Sequence, residues 1–307
     1  RKEKSGSFYE KMNRKALITS IKGTSLTNDE KKMIYNHKPW GIILFRRNIQ
    51  NIKQLKQLTF QLRKTVNDPL YPILIDEEGG NVSRLSKIID NKIFSQNFFG
   101  KLYEKNSIIG KNFYEEYLYS ICNILNNTGI NINTIPVLDI LKSKTHKIIG
   151  NRSYSKNLKT IKSLGNICIK ILRKCKIGSV SKHIPGHGCS NFDTHKKLSR
   201  VNDSLNQLMK NDFSAFKNIN SHFVMTAHII YNKVDPINSA THSQTVIKKV
   251  IRKELGFKGL IISDDISMKA LSNNLLLNAT RAVHSGCNLA LYCNGDVKES
   301  SNLLKKM

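Results

Sequence analysis

What the 307-residue sequence lacks narrows it first. No apolar run approaches the roughly 20 residues that a bilayer-spanning helix needs. The stretch from Arg1 to Lys15 is charged and has no apolar segment of the kind a secretory signal carries. The expectation is a cytoplasmic protein without a membrane partner. The six cysteines, Cys122, Cys168, Cys175, Cys189, Cys287 and Cys293, form no C-x-x-C pair, so neither a zinc ribbon nor a disulfide scaffold is written here. Pro-rich and Gly/Ser-rich linkers are missing, which favours one domain over residues 1–307. Acidic residues are scarce: 22 Asp and Glu face 50 Lys and Arg, a net charge of +28. Such a charge attracts nucleic acid and anionic substrates whatever the fold. Only 11 of the basic residues are Arg against 39 Lys, spread along the whole chain. Arg is the preferred reader of phosphates and base edges, so this pattern argues for compositional drift and against a specific nucleic-acid partner.

Several site signatures are absent too. There is no G-x-x-x-x-G-K-[ST] or G-x-G-x-x-G to cradle a nucleotide, and no G-x-S-x-G elbow for a serine nucleophile. His183, His187 and His195 invite a metal reading, but H-E-x-x-H does not occur, and Pro185 and Gly186 prevent a single helical ligand face. No metal is expected.

What is present is a 39% hydrophobic, 23% charged chain able to bury a core, in which short β-rich runs alternate with longer amphipathic stretches. The runs predict strands at Ala16–Ile21, Gly41–Phe45, Pro72–Ile75, Asn133–Asp139, Gly178–His183, Phe223–Ala227, Gly259–Ser263 and Asn288–Tyr292. Between them, Asn51–Val66, Ser107–Asn127, Leu158–Lys174, Ser204–Asn218, Ser243–Leu255 and Asn274–His284 have helical spacing. Thr27 with Glu30 reads as a capping box, and Gly256 as a helix stop. Eight such units predict an α/β fold, a single-domain (β/α)8 TIM barrel. The chain runs out soon after the last predicted strand, with no closing helix expected.

Chemistry in such a barrel sits at the carboxyl ends of the strands, and polar clusters follow most of these runs. Ser263-Asp264-Asp265 follows a fully apolar run. Asp264 there can be a carboxylate nucleophile toward a sugar carbon, and equally a helix N-cap. Asp193-Thr194-His195 sets a carboxylate beside an imidazole whose ordinary pKa is about 6.5, which suits an acid/base pair; a surface loop histidine is the plainer alternative. Lys182-His183 could donate to substrate hydroxyls, and Asp76 with Arg84 could bracket a polyol.

Together these clusters resemble glycoside hydrolase family 3, specifically the single-domain bacterial β-N-acetylglucosaminidases of peptidoglycan recycling. The matching segments keep the family's order: Gly41 to Phe45 with Arg47-Asn48; Ile75-Asp76-Glu77-Glu78-Gly79-Gly80 with Val82 and Arg84-Leu85; Pro136 to Asp139; Gly150 to Tyr154; Lys182 to Gly188; Asp193 to His195; Met225 to His228; and Ser263 to Met268. One departure is Leu198-Ser199, where the family usually carries a Pro after the histidine. The resemblance implies cleavage of terminal β-linked N-acetylglucosamine with retention. It implies Asp264 as nucleophile, His195 as acid/base held by Asp193, and Asp76, Arg84, Arg152, Lys182 and His183 on the nonreducing sugar. Asp265 is a structural neighbour of the nucleophile in this picture. The implied substrate is an amino-sugar or muropeptide fragment such as GlcNAc-1,6-anhydroMurNAc, cleaved by a monomer without cofactor. Alternatives are a β-glucosidase or a phosphorylase of the same family, or an inactive binding protein.

Overall fold

The computed structural model describes residues 14–141, 149–188, 198–271 and 274–307. Its strands are β1 (Lys15–Thr19), β2 (Pro39–Leu44), β3 (Ile73–Ile75), β4 (Ile132–Asn133), β5 (Gly178–Ile184), β6 (Ser199–Val201), β7 (Phe223–Thr226), β8 (Ile229–Tyr231), β9 (Leu260–Asp265) and β10 (Leu289–Leu291). Eight of them close a barrel in the order β1-β2-β3-β4-β5-β7-β9-β10, every pair parallel. β6 and β8 form a separate parallel pair outside it.

The closed barrel divides the apolar residues by strand alternation. Ile18, Ile43, Leu74, Val180, Met225, Ile262 and Leu291 pack into one cluster inside the ring. Their neighbours Leu17, Ile42, Leu44, Ile73, Ile75, Val224, Ile261 and Ala290 join the second cluster, which also takes in the buried faces of the helices.

All eight predicted barrel strands form. The fourth is shorter than expected: its regular ladder ends at Asn133, and beyond it the Ile135 and Pro136 carbonyls and the Leu138 N–H still bond to β5 around the Val137–Lys182 bridge. Pro136 has no N–H to offer a ladder there. The helices are α1 (Asn28–His37), α2 (Ile52–Val66), α3 (Gln96–Lys105), α4 (Ser107–Thr128), α5 (Leu158–Lys174), α6 (Leu205–Lys210), α7 (Leu275–Ser285) and α8 (Val297–Lys306), with a π-helical segment at Thr245–Glu254. The stretch expected to be helical to Asn218 breaks after Lys210 into a 3-10 turn, Asp212–Phe216. Ser214 donates to the Asn211 carbonyl at that break, the local competition that disfavours Ser, Asn and Asp inside helices. The closing helix, unexpected from the sequence, is α8, which packs on α1 with Leu303 and Leu304 buried. No helix among the described residues is long and apolar enough to cross a membrane.

Candidate active site

At the carboxyl ends of the strands the barrel opens into a cavity of about 90 Å³. Its polar lining is Asp76 after β3, Thr134 after β4, Arg152, Lys182 and His183 of β5, His187, and Asp264 of β9; Phe45, Met225 and Leu291 supply apolar walls. The cavity therefore collects residues from most of the strands into one volume.

Its base is a charge network. Asp76 Oδ1 accepts from Lys182 Nζ at 2.5 Å and from Thr134 Oγ1 at 2.6 Å, while Oδ2 accepts from Arg84 Nη2 at 2.8 Å. Glu78 takes both Arg152 Nε at 2.7 Å and Nη2 at 2.8 Å, and its Oε1 lies 2.6 Å from Lys182 Nζ. Burial alone would raise both carboxyls. Lys182, Arg84 and Arg152 overcome it and hold Asp76 well below the usual carboxylate range, and Arg152 and Lys182 lower Glu78. Burial likewise works against the Lys182 ammonium, but the two carboxylates raise its pKa above the ordinary lysine value. Three cations and two anions thus stay ionised in a water-poor site, leaving one net positive charge and donors fixed in direction.

The loop after β3 is built to present this network. Glu77 does not face the cavity; its carboxylate accepts from the N–H groups of Arg84 at 2.7 Å and Leu85 at 2.8 Å and from Asn91 Nδ2 at 2.7 Å, which folds the loop back on itself. Gly79 has φ +80°, and a Cβ there would lie 2.3 Å from the Phe94 carbonyl oxygen. Only glycine fits that approach.

On β5, Lys182 and His183 are both buried and both line the cavity, where the register of the β5–β7 pair shifts between Lys182 and Ile184. The Lys182–His183 and Ile184–Pro185 peptide bonds are cis. Asp139, fully buried, holds this turn: it lies 2.7 Å from His183 Nδ1 and accepts from the His187 N–H at 2.8 Å. The second nitrogen of His183 is thereby oriented as a donor or acceptor by a carboxylate partner. Burial pushes the His187 imidazole down to about 4.

Asp264 is partly exposed at the mouth, with its Oδ1 accepting the Asp265 N–H at 2.8 Å. It caps no helix. The helix that follows, α7, starts at Leu275 with Asn274 as its N-cap, which removes the capping alternative. Asp265 turns away: its carboxylate accepts from Ser267 N and Oγ at 3.0 and 2.8 Å and from Cys293 N at 3.3 Å.

Of the site residues expected from the sequence, Asp76, Arg152, Lys182, His183 and Asp264 line the one cavity. Arg84 stands one step behind, paired to Asp76 and 5.3 Å from the Phe45 ring centroid. Asp193 and His195 lie outside the described residues. Sequence reasoning gave no role to Thr134, Glu78 or Asp139. Thr134, directly after a strand, carries the same positional signal as the others; Glu78 and Asp139 sit within quoted motifs, but their partners are far along the chain. Among the described residues no group of three or more His, Cys, Asp or Glu could hold a metal.

Comparison with known proteins gives this geometry a family. The glycosyl hydrolase family 3 N-terminal domain matches residues 11–307. A beta-hexosaminidase of Neisseria meningitidis serogroup A is 32% identical over 284 residues, 91% of this chain and 78% of the relative. One from Bordetella pertussis is 30% identical over 288 residues, 92% of this chain and 81% of its own. The crystal structure of NagZ from Neisseria gonorrhoeae in complex with N-trifluoroacetyl-D-glucosamine matches with a TM-score of 0.84 at 30% identity, over 95% of this chain and 88% of that one. A family 3 β-N-acetylglucosaminidase from Paenibacillus matches with a TM-score of 0.85 at 27% identity, over 95% of this chain and 56% of that one. The chain belongs to glycosyl hydrolase family 3 and is a glycoside hydrolase whose sequence relatives are beta-hexosaminidases.

Proposed function

We propose that the protein is a retaining exo-β-N-acetylglucosaminidase that removes nonreducing terminal N-acetylglucosamine from peptidoglycan fragments such as GlcNAc-1,6-anhydroMurNAc, with or without peptide. The observation that carries this reading is Asp264 at the mouth of a cavity whose other wall is the ionised Asp76, Arg152, Lys182 set with His183. A sugar ring has hydroxyls that both donate and accept, and this wall offers a carboxylate acceptor beside cationic donors. Support for the amino sugar comes from the relatives, which are named beta-hexosaminidases, and from the N-trifluoroacetyl-D-glucosamine bound to one of them.

In this mechanism the ring sits against Asp76, Arg152, Lys182 and His183 with its anomeric carbon facing Asp264. The Asp264 carboxylate attacks that carbon while His195 gives its proton to the leaving glycosidic oxygen, producing a glycosyl-aspartate. His195 then takes a proton from water as the water displaces Asp264, and the sugar leaves with its β configuration retained. Asp193 holds the imidazole in place between the two steps. A neutral imidazole, unlike a second carboxylate, does not repel an anionic aglycone. No metal or organic cofactor enters the scheme. The chain acts as a single-domain monomer in the cytoplasm, within cell-wall recycling, and its +28 charge draws the anionic fragment in.

Hydrolysis of a chromogenic β-N-acetylglucosaminide, set beside the matching β-glucoside, tests the reading. The first substrate is expected to be cleaved and the second not, with Asp264→Asn losing at least about a thousandfold in kcat. Equal cleavage of both would make the enzyme a broad exo-glycosidase. A rate that follows the phosphate concentration, with a sugar 1-phosphate as product, would make it a phosphorylase. A folded protein that releases nothing from either compound or from cell-wall fragments would overturn the proposal.

A further inference from the structure

Behind Asp264 runs a chain of buried polar groups that the mechanism above leaves unused. His228, between β7 and β8, is 1% exposed and does not line the cavity. Its Nε2 lies 3.0 Å from the backbone carbonyl oxygen of Asp265, and its Nδ1 lies 2.7 Å from Thr241 Oγ1. A carbonyl can only accept, so Nε2 carries the proton. In the neutral ring Nδ1 is then an acceptor and takes the Thr241 hydroxyl proton. Thr241 Oγ1, 2.8 Å from Thr226 Oγ1, accepts from that hydroxyl in turn. The competing acceptor for the Thr241 proton, the Ala227 carbonyl, is more distant at 3.3 Å. Burial lowers the His228 pKa, and His183 adds to the effect, while Asp264 and Asp265 pull the other way. Burial thus favours the neutral ring, and the Asp265 carbonyl places its one proton on Nε2.

Residue 265 is where this chain of hydrogen bonds ends. Its side chain is tied to Ser267 and Cys293, and the peptide that follows it is held at the far end by the Ile266 N–H on the Leu291 carbonyl at 2.9 Å. His228 holds the near end of that same peptide. The N–H of residue 265 then points to Asp264 Oδ1 at 2.8 Å. Every polar group of Asp265 is anchored, and one of them holds the neighbouring carboxylate.

We propose that His228 is a positioning residue for the nucleophile: through the Asp265 carbonyl it fixes the N–H that orients the Asp264 carboxylate toward the anomeric carbon. The inference rests on the proposed role of Asp264 and concerns the bond-forming step, not sugar binding. Loss of the imidazole donor is therefore expected in kcat and not in KM.

The test compares His228→Phe, a ring of similar size with no donor, with His228→Gln, whose amide N–H reaches about as far as Nε2. Both are assayed on the chromogenic β-N-acetylglucosaminide and for the rate at which a 5-fluoro-N-acetylglucosaminyl fluoride labels Asp264, read by mass spectrometry. His228→Phe is expected to lower kcat and the labelling rate together by on the order of tenfold or more, with KM within about twofold of the parent. His228→Gln is expected to recover most of both. A folded Phe variant with parental kcat, a loss that falls in KM, or a Gln variant as slow as Phe overturns the proposal. If the Phe variant does not fold, Thr241→Val carries the test, because it removes the hydroxyl that anchors the ring at Nδ1; kcat is expected to fall severalfold, and an unchanged kcat overturns the proposal. A parent enzyme that cleaves no β-glycoside overturns the reading of Asp264 itself, whereas an active parent with an indifferent His228→Phe overturns only the role of His228.

Discussion

Glu78 shows why individual side chains here serve through their partners. It has no place on the cavity wall, yet it is the counter-ion that keeps Arg152 and Lys182 aimed into it. Glu78→Gln preserves shape while removing charge, so three cations would face Asp76 alone. Breaking one partner out of a buried pair costs about 3–5 kcal/mol, because the charge left behind stays desolvated. Glu78→Gln is expected to lose roughly that much stability in urea unfolding and to raise KM at least tenfold, since the sugar meets misdirected donors. A variant with parental KM would show that Arg152 and Lys182 hold their direction without it. The same residue marks the limit of sequence reading: the run Asp76-Glu77-Glu78 announces a site, but three adjacent acids with three different jobs look alike until their partners are in place. Asp76 faces the cavity, Glu77 ties the loop and Glu78 pairs with Arg152.

At the scale of elements, the strands were legible and some helices were not, for a physical reason. Barrel strands are buried on both faces and read as continuous apolar runs such as Gly41–Phe45, which a Lys- and Asn-rich composition cannot hide. The unpredicted helices α1, α3 and α8 each bury only a few residues: Met33 and Ile34 beside Glu30, Phe99 and Gly100 beside Gln96, and Leu303 and Leu304 beside Ser300. Each runs for only 10 residues, under three turns, too short a window for helical spacing to stand out, and for α1 only the Thr27–Glu30 cap betrayed the start. The loop after β3 is a different case, fixed by backbone geometry. Gly79→Ala would place a Cβ against the Phe94 carbonyl in a left-handed conformation, which alone costs an L-residue roughly 1–2 kcal/mol. The variant is expected to melt several degrees lower and to lose kcat/KM beyond that, because relief of the clash moves Asp76 and Glu78. An unchanged melting temperature would mean that the loop accommodates the methyl group.

For the whole molecule, the placement of the site at one end of the barrel followed from the fold, and its electrostatics decide how the protein responds to acid. His187 and His242 are both buried, and burial is the main cause that lowers each to about 4. An unfolded histidine titrates near about 6.5. Between those values the unfolded chain binds protons that the folded one refuses, so stability is complete above about pH 6.5 and falls as pH drops toward 4. At pH 5 the loss is about 2 kcal/mol for each histidine, relative to pH 8. Asp76, Glu78 and Asp139 act lower down: their folded pKa values lie below the ordinary carboxylate range, so their contribution, present above about pH 4, is lost as pH falls further. The two windows adjoin, and acid unfolding should be continuous and steep. Burial lowers His228 and His222 as well, so urea midpoints at pH 8, 6 and 5 are expected to decline with a slope of more than two protons taken up on unfolding. His242→Gln, whose amide can still donate to the Asn278 carbonyl that His242 Nε2 faces at 3.0 Å, should reduce that slope by about one while leaving pH 8 stability near the parent. A slope that His242→Gln leaves unchanged would place the proton uptake on other groups and reject this account of the protein's acid sensitivity.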